Sequence, residues 1–222
     1  MFRIKICGIT NVEDAALAVD AQADAVGLNF YPASPRFCPA EQAQEIARML
    51  PRSVCKVGVF VNATVGEIRR SRETLGLDLV QLHGDEPPEM LRELLGVPIL
   101  RAFRASDDWG PTSEYLKACH RLACMPRMVL VDRAQSGQYG GTGKTLDWPA
   151  LAAARRHLDG VPLVLAGGLK PDNVAEAIAT VRPWAVDTAS GVESSPGKKS
   201  AALVRQFVEA AQHALALSAV AR

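Results

Sequence analysis

No stretch of this 222-residue sequence approaches the about 18 consecutive apolar residues that a membrane-spanning helix requires, and its first residues form no signal-peptide pattern. An excess of one charge is missing too: 25 basic side chains stand against 24 acidic ones, interspersed, for a net charge of +1. That balance leaves no electrostatic footprint for nucleic acid or a membrane surface. Cysteine pairs are absent. Five cysteines, Cys7, Cys38, Cys55, Cys119 and Cys124, are odd in number and include no CxxC spacing. The pattern excludes a disulfide framework and points to a reduced, cytoplasmic protein. Histidine is scarce as well: His120, His157 and His213 fall in predicted helices, which leaves His83 alone at a strand end and too few ligands for a metal. What remains, 48% hydrophobic and 22% charged residues, is ordinary for a soluble globular protein. The length suits one large α/β domain or two small ones.

The opening stretch sets the plan. Arg3 to Cys7 alternates so that Ile4 and Ile6 share one face of a predicted strand, Lys5 and Cys7 the other. Gly8 supplies a turn, and Thr10 with Glu13 reads as a capping box that opens a helix. The same unit recurs. Further strands are predicted at 24–30, 54–61, 79–83, 98–103 (interrupted by Arg101), 128–132, 162–166 and 184–188. Helices fall between them: Thr64 and Glu67 repeat the capping box, Asp147 with Pro149 starts another, and Pro171 suits a first helical position. A segment at 115–123 is read as helical, and an Ala-rich helix over 200–220 closes the chain. Short apolar strands alternating with helices indicate a parallel sheet, and eight such units in this length fit a closed (β/α)8 barrel over residues 1–222. The Gly-rich loop 133–146 lacks Walker spacing and is expected to be a mobile lid.

In such barrels chemistry gathers at the carboxyl ends of the strands, and phosphate at the loops after strands seven and eight. Gly167-Gly168 and Ala189-Ser190-Gly191 fall at those two places, where exposed backbone N–H groups could approach an anion. Strand parity brings further polar groups to the mouth: Lys5 and Cys7, Gln81 and His83, Asp132, and Asp187. Without a task such groups would be costly to bury. Lys5 and Asp187 become neighbours if the barrel closes, so an ion pair is expected there. Lysine beside Cys7 is expected to lower the thiol's pKa and make it reactive. Asp132 reads either as a catalytic acid or as a carboxylate capping a nearby loop. Arg36, in a Pro-flanked loop, could hold a carboxylate in bidentate fashion or be simply solvated.

Lys5-Ile6-Cys7-Gly8-Ile9-Thr10, Gly27 to Tyr31 with Pro35-Arg36, Val57 to Phe60, Gln81-Leu82-His83-Gly84, Tyr139 to Lys144, Gly167-Gly168-Leu169 and Ser190-Gly191-Val192-Glu193 together resemble phosphoribosylanthranilate isomerase, in order and over nearly the whole chain. The resemblance implies a (β/α)8 barrel that isomerises N-(5-phosphoribosyl)anthranilate to 1-(2-carboxyphenylamino)-1-deoxyribulose 5-phosphate in tryptophan biosynthesis. It implies Cys7 as general base, Asp132 as general acid, Arg36 on the anthranilate carboxylate, and the backbone around Gly167, Gly168, Ala189, Ser190 and Gly191 on the phosphate. Gln81, His83 and Asp187 are expected at the substrate. An Amadori rearrangement only relocates protons, so no metal or redox cofactor is expected. It does require a protonated Asp132 and a partly ionised Cys7. Three positions depart from the family's habit: Ala189 where Ser is frequent, Arg133 after the acid, and Lys170 in place of a helix-capping Asn. Rival phosphosugar enzymes would need extra histidine, carboxylate or lysine ligands. A non-catalytic sensor would need no acid and base, and a histidine-pathway isomerase usually uses two aspartates. The expected partner is the small-molecule substrate; a monomer, a homodimer and association with other pathway enzymes all stay open.

Overall fold

The computed structural model describes residues 1–106, 108–132 and 147–220. Eight strands form a closed parallel barrel in chain order: β1 (Ile4–Cys7), β2 (Ala25–Asn29), β3 (Cys55–Phe60), β4 (Leu79–Leu82), β5 (Ile99–Arg104), β6 (Met128–Asp132), β7 (Leu163–Leu165) and β8 (Ala185–Thr188). β8 pairs back onto β1 with Lys5 opposite Asp187, so the first and last strands become neighbours. Around the barrel lie α1 (Val12–Asp20), α2 (Ala40–Met49), α3 (Val65–Leu75), α4 (Pro88–Glu93), α5 (Gly110–Arg121), α6 (Trp148–Ala154), α7 (Val174–Val181) and α8 (Ala201–Val220). No helix among the described residues is long and apolar enough to cross a membrane. The expected lid, 133–146, lies outside the described residues.

The period-2 pattern sorts side chains into two cores. Ala25, Val57, Leu79, Leu100, Met128, Leu130, Val164 and Ala185 fill the barrel's interior. Ile4, Ile6, Val26, Leu28, Val80, Val129 and Val186 face outward and pack on the helices through Ile46, Ile68, Ile178 and Phe207. Each such aliphatic contributes roughly 1.5–3 kcal/mol by leaving water. Arg101 interrupts β5 without breaking it because it points into the outer layer. There it donates to the carbonyls of Leu82 and Gly84 and to Glu86, and its guanidinium lies 5.1 Å from the ring centres of Phe103 and Tyr115.

Three local expectations are corrected. Asn11, not Thr10, caps α1, accepting from the backbone of Asp14, while the Thr10 hydroxyl donates to the carbonyl of Gly197. Pro171 lies before α7 rather than in its first turn. The helix read at 115–123 begins earlier, at Gly110, with Pro111 in its first turn. The boxes that hold are local: Thr64 and Glu67 cap α3 reciprocally, and the Asp147 carboxylate accepts from Ala150 at the start of α6. After β8 the chain adds a short 3-10 helix (Ser190–Val192) and a small hairpin, β9 (Glu193–Ser195) and β10 (Lys198–Lys199), before α8. That hairpin has no counterpart in the sequence reading.

Candidate active site

The carboxyl ends of the strands open on a pocket of about 570 Å³, its solvent mouth included, into which Cys7, Arg36, Gln81, His83, Asp132, Asp187 and Ala189 all reach. Cys7 enters from β1 and Asp132 from β6, with β7 and β8 between them on the shorter way round. Neither turns outward, as the strand parity requires. Room for the thiol comes from the neighbouring strand: a Cβ on Gly27 would stand 2.7 Å from Cys7 Sγ and 3.1 Å from Lys5 Nζ. Only a residue without a side chain fits there.

Lys5 is wholly buried, and its Nζ meets Asp187 Oδ1 at 2.9 Å. Burial alone would weaken the ammonium's hold on its proton, but Asp187 outweighs it, helped by Cys7, and keeps Lys5 above its ordinary range. The expected ion pair is therefore present, with a consequence for its neighbour. Burial pushes the Cys7 thiol up, Lys5 pulls it down, and Asp187 adds to the upward push. The net shift is upward. The expectation that Lys5 would activate Cys7 by lowering its pKa is corrected, because burial of the thiol outweighs the nearby ammonium and the Asp187 carboxylate works in the same direction as burial.

On the opposite wall, Gln81 Nε2 lies 2.8 Å from His83 Nδ1, and His83 Nε2 lies 3.6 Å from Asp132 Oδ2. Gln81 Oε1 is buried with no hydrogen-bond partner among the described residues. A fixed polar atom of that kind at a pocket wall is suited to a ligand hydroxyl. Arg36 belongs to the loop after β2, where Ser34 Oγ accepts from the Arg36 N–H at 3.1 Å and from Asn29 Nδ2 at 3.0 Å. Its guanidinium is already engaged along one edge by Glu193, with Nε to Oε1 and Nη2 to Oε2 both at 2.7 Å. Lys199 Nζ reaches the same carboxylate at 2.8 Å and the carbonyl of Ala189 at 3.1 Å. Sequence reasoning assigned no role to Glu193 or Lys199. Glu193 ends the run Ser190-Gly191-Val192-Glu193, which was the one available signal, while nothing along the sequence singles out Lys199.

Of the residues expected around phosphate, Ala189 borders the pocket, and Gly167, Gly168, Ser190 and Gly191 are half-buried at the adjoining ends of β7 and β8. Gly167 and Gly168 both have positive φ, 88° and 75°, a backbone conformation that favours glycine at this turn. The two loops are tied together by Thr188 Oγ1, which donates to the carbonyl of Leu169 at 2.7 Å, and Asn173 Nδ2 donates to that of Gly168 at 3.0 Å. The 3-10 helix after β8 lies where barrels of this kind commonly carry a short extra helix.

A sequence model of the family described as N-(5'phosphoribosyl)anthranilate isomerase matches residues 4–210. The N-(5'-phosphoribosyl)anthranilate isomerase of Geobacter sulfurreducens is 46% identical over 214 residues, covering 96% of this chain and 99% of that protein. The crystal structure of the isomerase from Thermotoga maritima superimposes with a TM-score of 0.85 at 41% identity, over 96% of this chain and all of that one. A second isomerase structure, in complex with reduced 1-(o-carboxyphenylamino)-1-deoxyribulose 5-phosphate, gives a TM-score of 0.81 at 38% identity, again over 96% of this chain and all of that one. With the pocket, the paired strand-end glycines and the whole length of the chain in agreement, this protein belongs to the phosphoribosylanthranilate isomerase family.

Proposed function

We propose that this chain, as one barrel domain, carries out its family's Amadori rearrangement of N-(5-phosphoribosyl)anthranilate with Cys7 as general base and Asp132 as general acid. Asp132 gives its proton to the furanose ring oxygen as the C1–O bond breaks. The nitrogen lone pair then forms the iminium, and Cys7 takes the proton from C2 to leave an enolamine. Tautomerisation of that species gives the ketone, so protons move and no electrons are exchanged with a cofactor.

The observation that carries this reading is the placement of one thiol and one carboxyl group on different walls of a single pocket. The ionised fraction of Cys7 is the reacting form. Burial makes that thiolate scarcer but more basic, and the iminium formed by ring opening brings a positive charge beside it at the step that takes the C2 proton. Arg36 is assigned to the anthranilate carboxylate, Gln81 and His83 to the sugar hydroxyls, and Asp187 to the floor that fixes Lys5 beneath Cys7. Gly167, Gly168, Ala189, Ser190 and Gly191 are assigned to the phosphate, mainly through backbone donors, so Ala189 serves as well as the family's more frequent Ser.

A progress curve tests the activity directly. Fluorescence of the anthranilate ribotide should change to that of the product on adding the protein in a metal-chelating buffer. A flat trace with folded protein and fresh substrate would end the proposal.

A further inference from the structure

Arg36 does not wait in the pocket as a free cation. Of its five N–H donors, Glu193 takes one on Nε and one on Nη2, along the inner edge of the guanidinium. The outer edge keeps three: both on Nη1 and the second on Nη2. That edge still presents two parallel donors, one on each Nη, to a second carboxylate. The stem is fixed as well, since a Cβ at Gly8 would lie 2.5 Å from Arg36 Cδ. Glu193 is itself held on two sides. Oε1 accepts from Arg36 and from Lys199, whose side chain is fully buried, and Oε2 accepts from Arg36. Two cations and one carboxylate leave a single positive charge on the cluster, enough to balance one incoming carboxylate. Without Lys199 the Arg36–Glu193 pair would be neutral and would have little attraction for an anion.

We propose that Glu193, anchored by Lys199, is a positioning residue that aims the outer edge of Arg36 into the pocket and so sets the preference for a substrate bearing a carboxylate on its ring. This rests on the assignment of Arg36 given above and extends it to two residues that touch no reacting atom. Lys199 also holds the carbonyl of Ala189, so the carboxylate end and the phosphate end of the ligand share one buried anchor. The spacing between them is thereby fixed by the fold rather than by the ligand.

The test is a binding titration with the full chain. Its probes are reduced 1-(o-carboxyphenylamino)-1-deoxyribulose 5-phosphate and the same molecule without its ring carboxylate. Glu193→Gln keeps the shape and removes the charge; Lys199→Met serves as a second variant; Arg36→Ala is the reference. Glu193→Gln and Arg36→Ala should each weaken the carboxylated probe by about tenfold or more, the range of one charge-assisted hydrogen bond, and change the other probe little; Lys199→Met, which also releases the Ala189 carbonyl, should weaken both, the carboxylated probe more. Glu193→Gln should add nothing in an Arg36→Ala background. Equal weakening of both probes, no weakening, or tighter binding by Glu193→Gln would overturn the positioning role; tighter binding would mean that Glu193 competes with the ligand for Arg36. If Arg36→Ala itself fails to distinguish the probes, the assignment of Arg36 falls first. If it does distinguish them and Glu193→Gln does not, only the positioning role falls.

Discussion

The two walls of the pocket are built on different principles. The wall made by β8, β1 and the loop after β2 carries Lys5, Asp187, Arg36, Glu193 and Lys199, joined by ion pairs of 2.7–2.9 Å. The wall made by β4 and β6 carries Gln81, His83 and Asp132, and its His83–Asp132 separation of 3.6 Å exceeds a hydrogen bond. Interlocked charges hold geometry: each buried ion is fixed by a partner it cannot leave without a large desolvation cost. That suits recognition, where a guanidinium must already point the right way. The proposed base sits on the rigid wall and the proposed acid on the other.

Removing the reacting groups should show the largest effect. Cys7→Ala and Asp132→Asn should each lower kcat by roughly 10²–10⁴, with the urea midpoint at pH 7 nearly unchanged. Turnover near that of the wild type in either variant would take that residue out of the mechanism and the distinction between the walls with it.

Breaking the rigid wall should instead cost stability. Lys5→Met alone leaves the Asp187 carboxylate buried beside an apolar side chain, and breaking a buried pair from one side costs about 3–5 kcal/mol. Lys5→Met with Asp187→Leu should restore much of that in urea unfolding. A double variant as unstable as the single one would show that packing, not charge, holds this wall.

Gly27→Ala is a smaller and more local intrusion, placing a methyl group against Cys7 Sγ and the end of Lys5. Overpacking of this kind costs about 1–3 kcal/mol. Because the displaced atom belongs to the proposed base, kcat should fall by more than the stability loss explains. Full activity at normal stability would mean that the thiol has freedom the rigid wall does not allow.

The smallest effect concerns thiols away from the mouth. Burial raises Cys38 and Cys55 to about 11 and Cys119 to about 12, from an ordinary 9.0. Above pH 9 the unfolded chain loses these protons while the native chain keeps them, so the native state binds more protons and stability falls with rising pH. The urea midpoint should decline between pH 9 and pH 11 and be flat in this respect below pH 8. A midpoint that rose over that window would contradict the burial of these thiols.

Much of this was legible along the chain because it depends on short-range geometry. Strand parity correctly put Lys5, Cys7, Gln81, His83, Asp132 and Asp187 on the barrel's inner side, and the Thr64 capping box needs only residues three apart. Thr10 misled because a hydroxyl and a glutamate at capping distance suggested a box, while the hairpin's Gly197 carbonyl, 187 residues away, took the hydroxyl instead. Cys7 misled for a related reason. A lysine two residues away was visible, but the burial of the thiol and the nearness of Asp187, which reverse the shift, were not.

The sequence alone determined the eightfold alternation of strand and helix, the side of each strand that faces inward, and the glycine turns that follow β7 and β8. Those follow from periods of two and 3.6 residues and from the missing Cβ, which act over a few bonds. Only the tertiary structure decided that Glu193 and Lys199 belong with Arg36, and that burial, with Asp187 beside it, pushes the Cys7 thiol up despite Lys5. Fields and hydrogen bonds depend on distance in space and on burial, and closing the barrel brings together residues more than 150 positions apart in the chain.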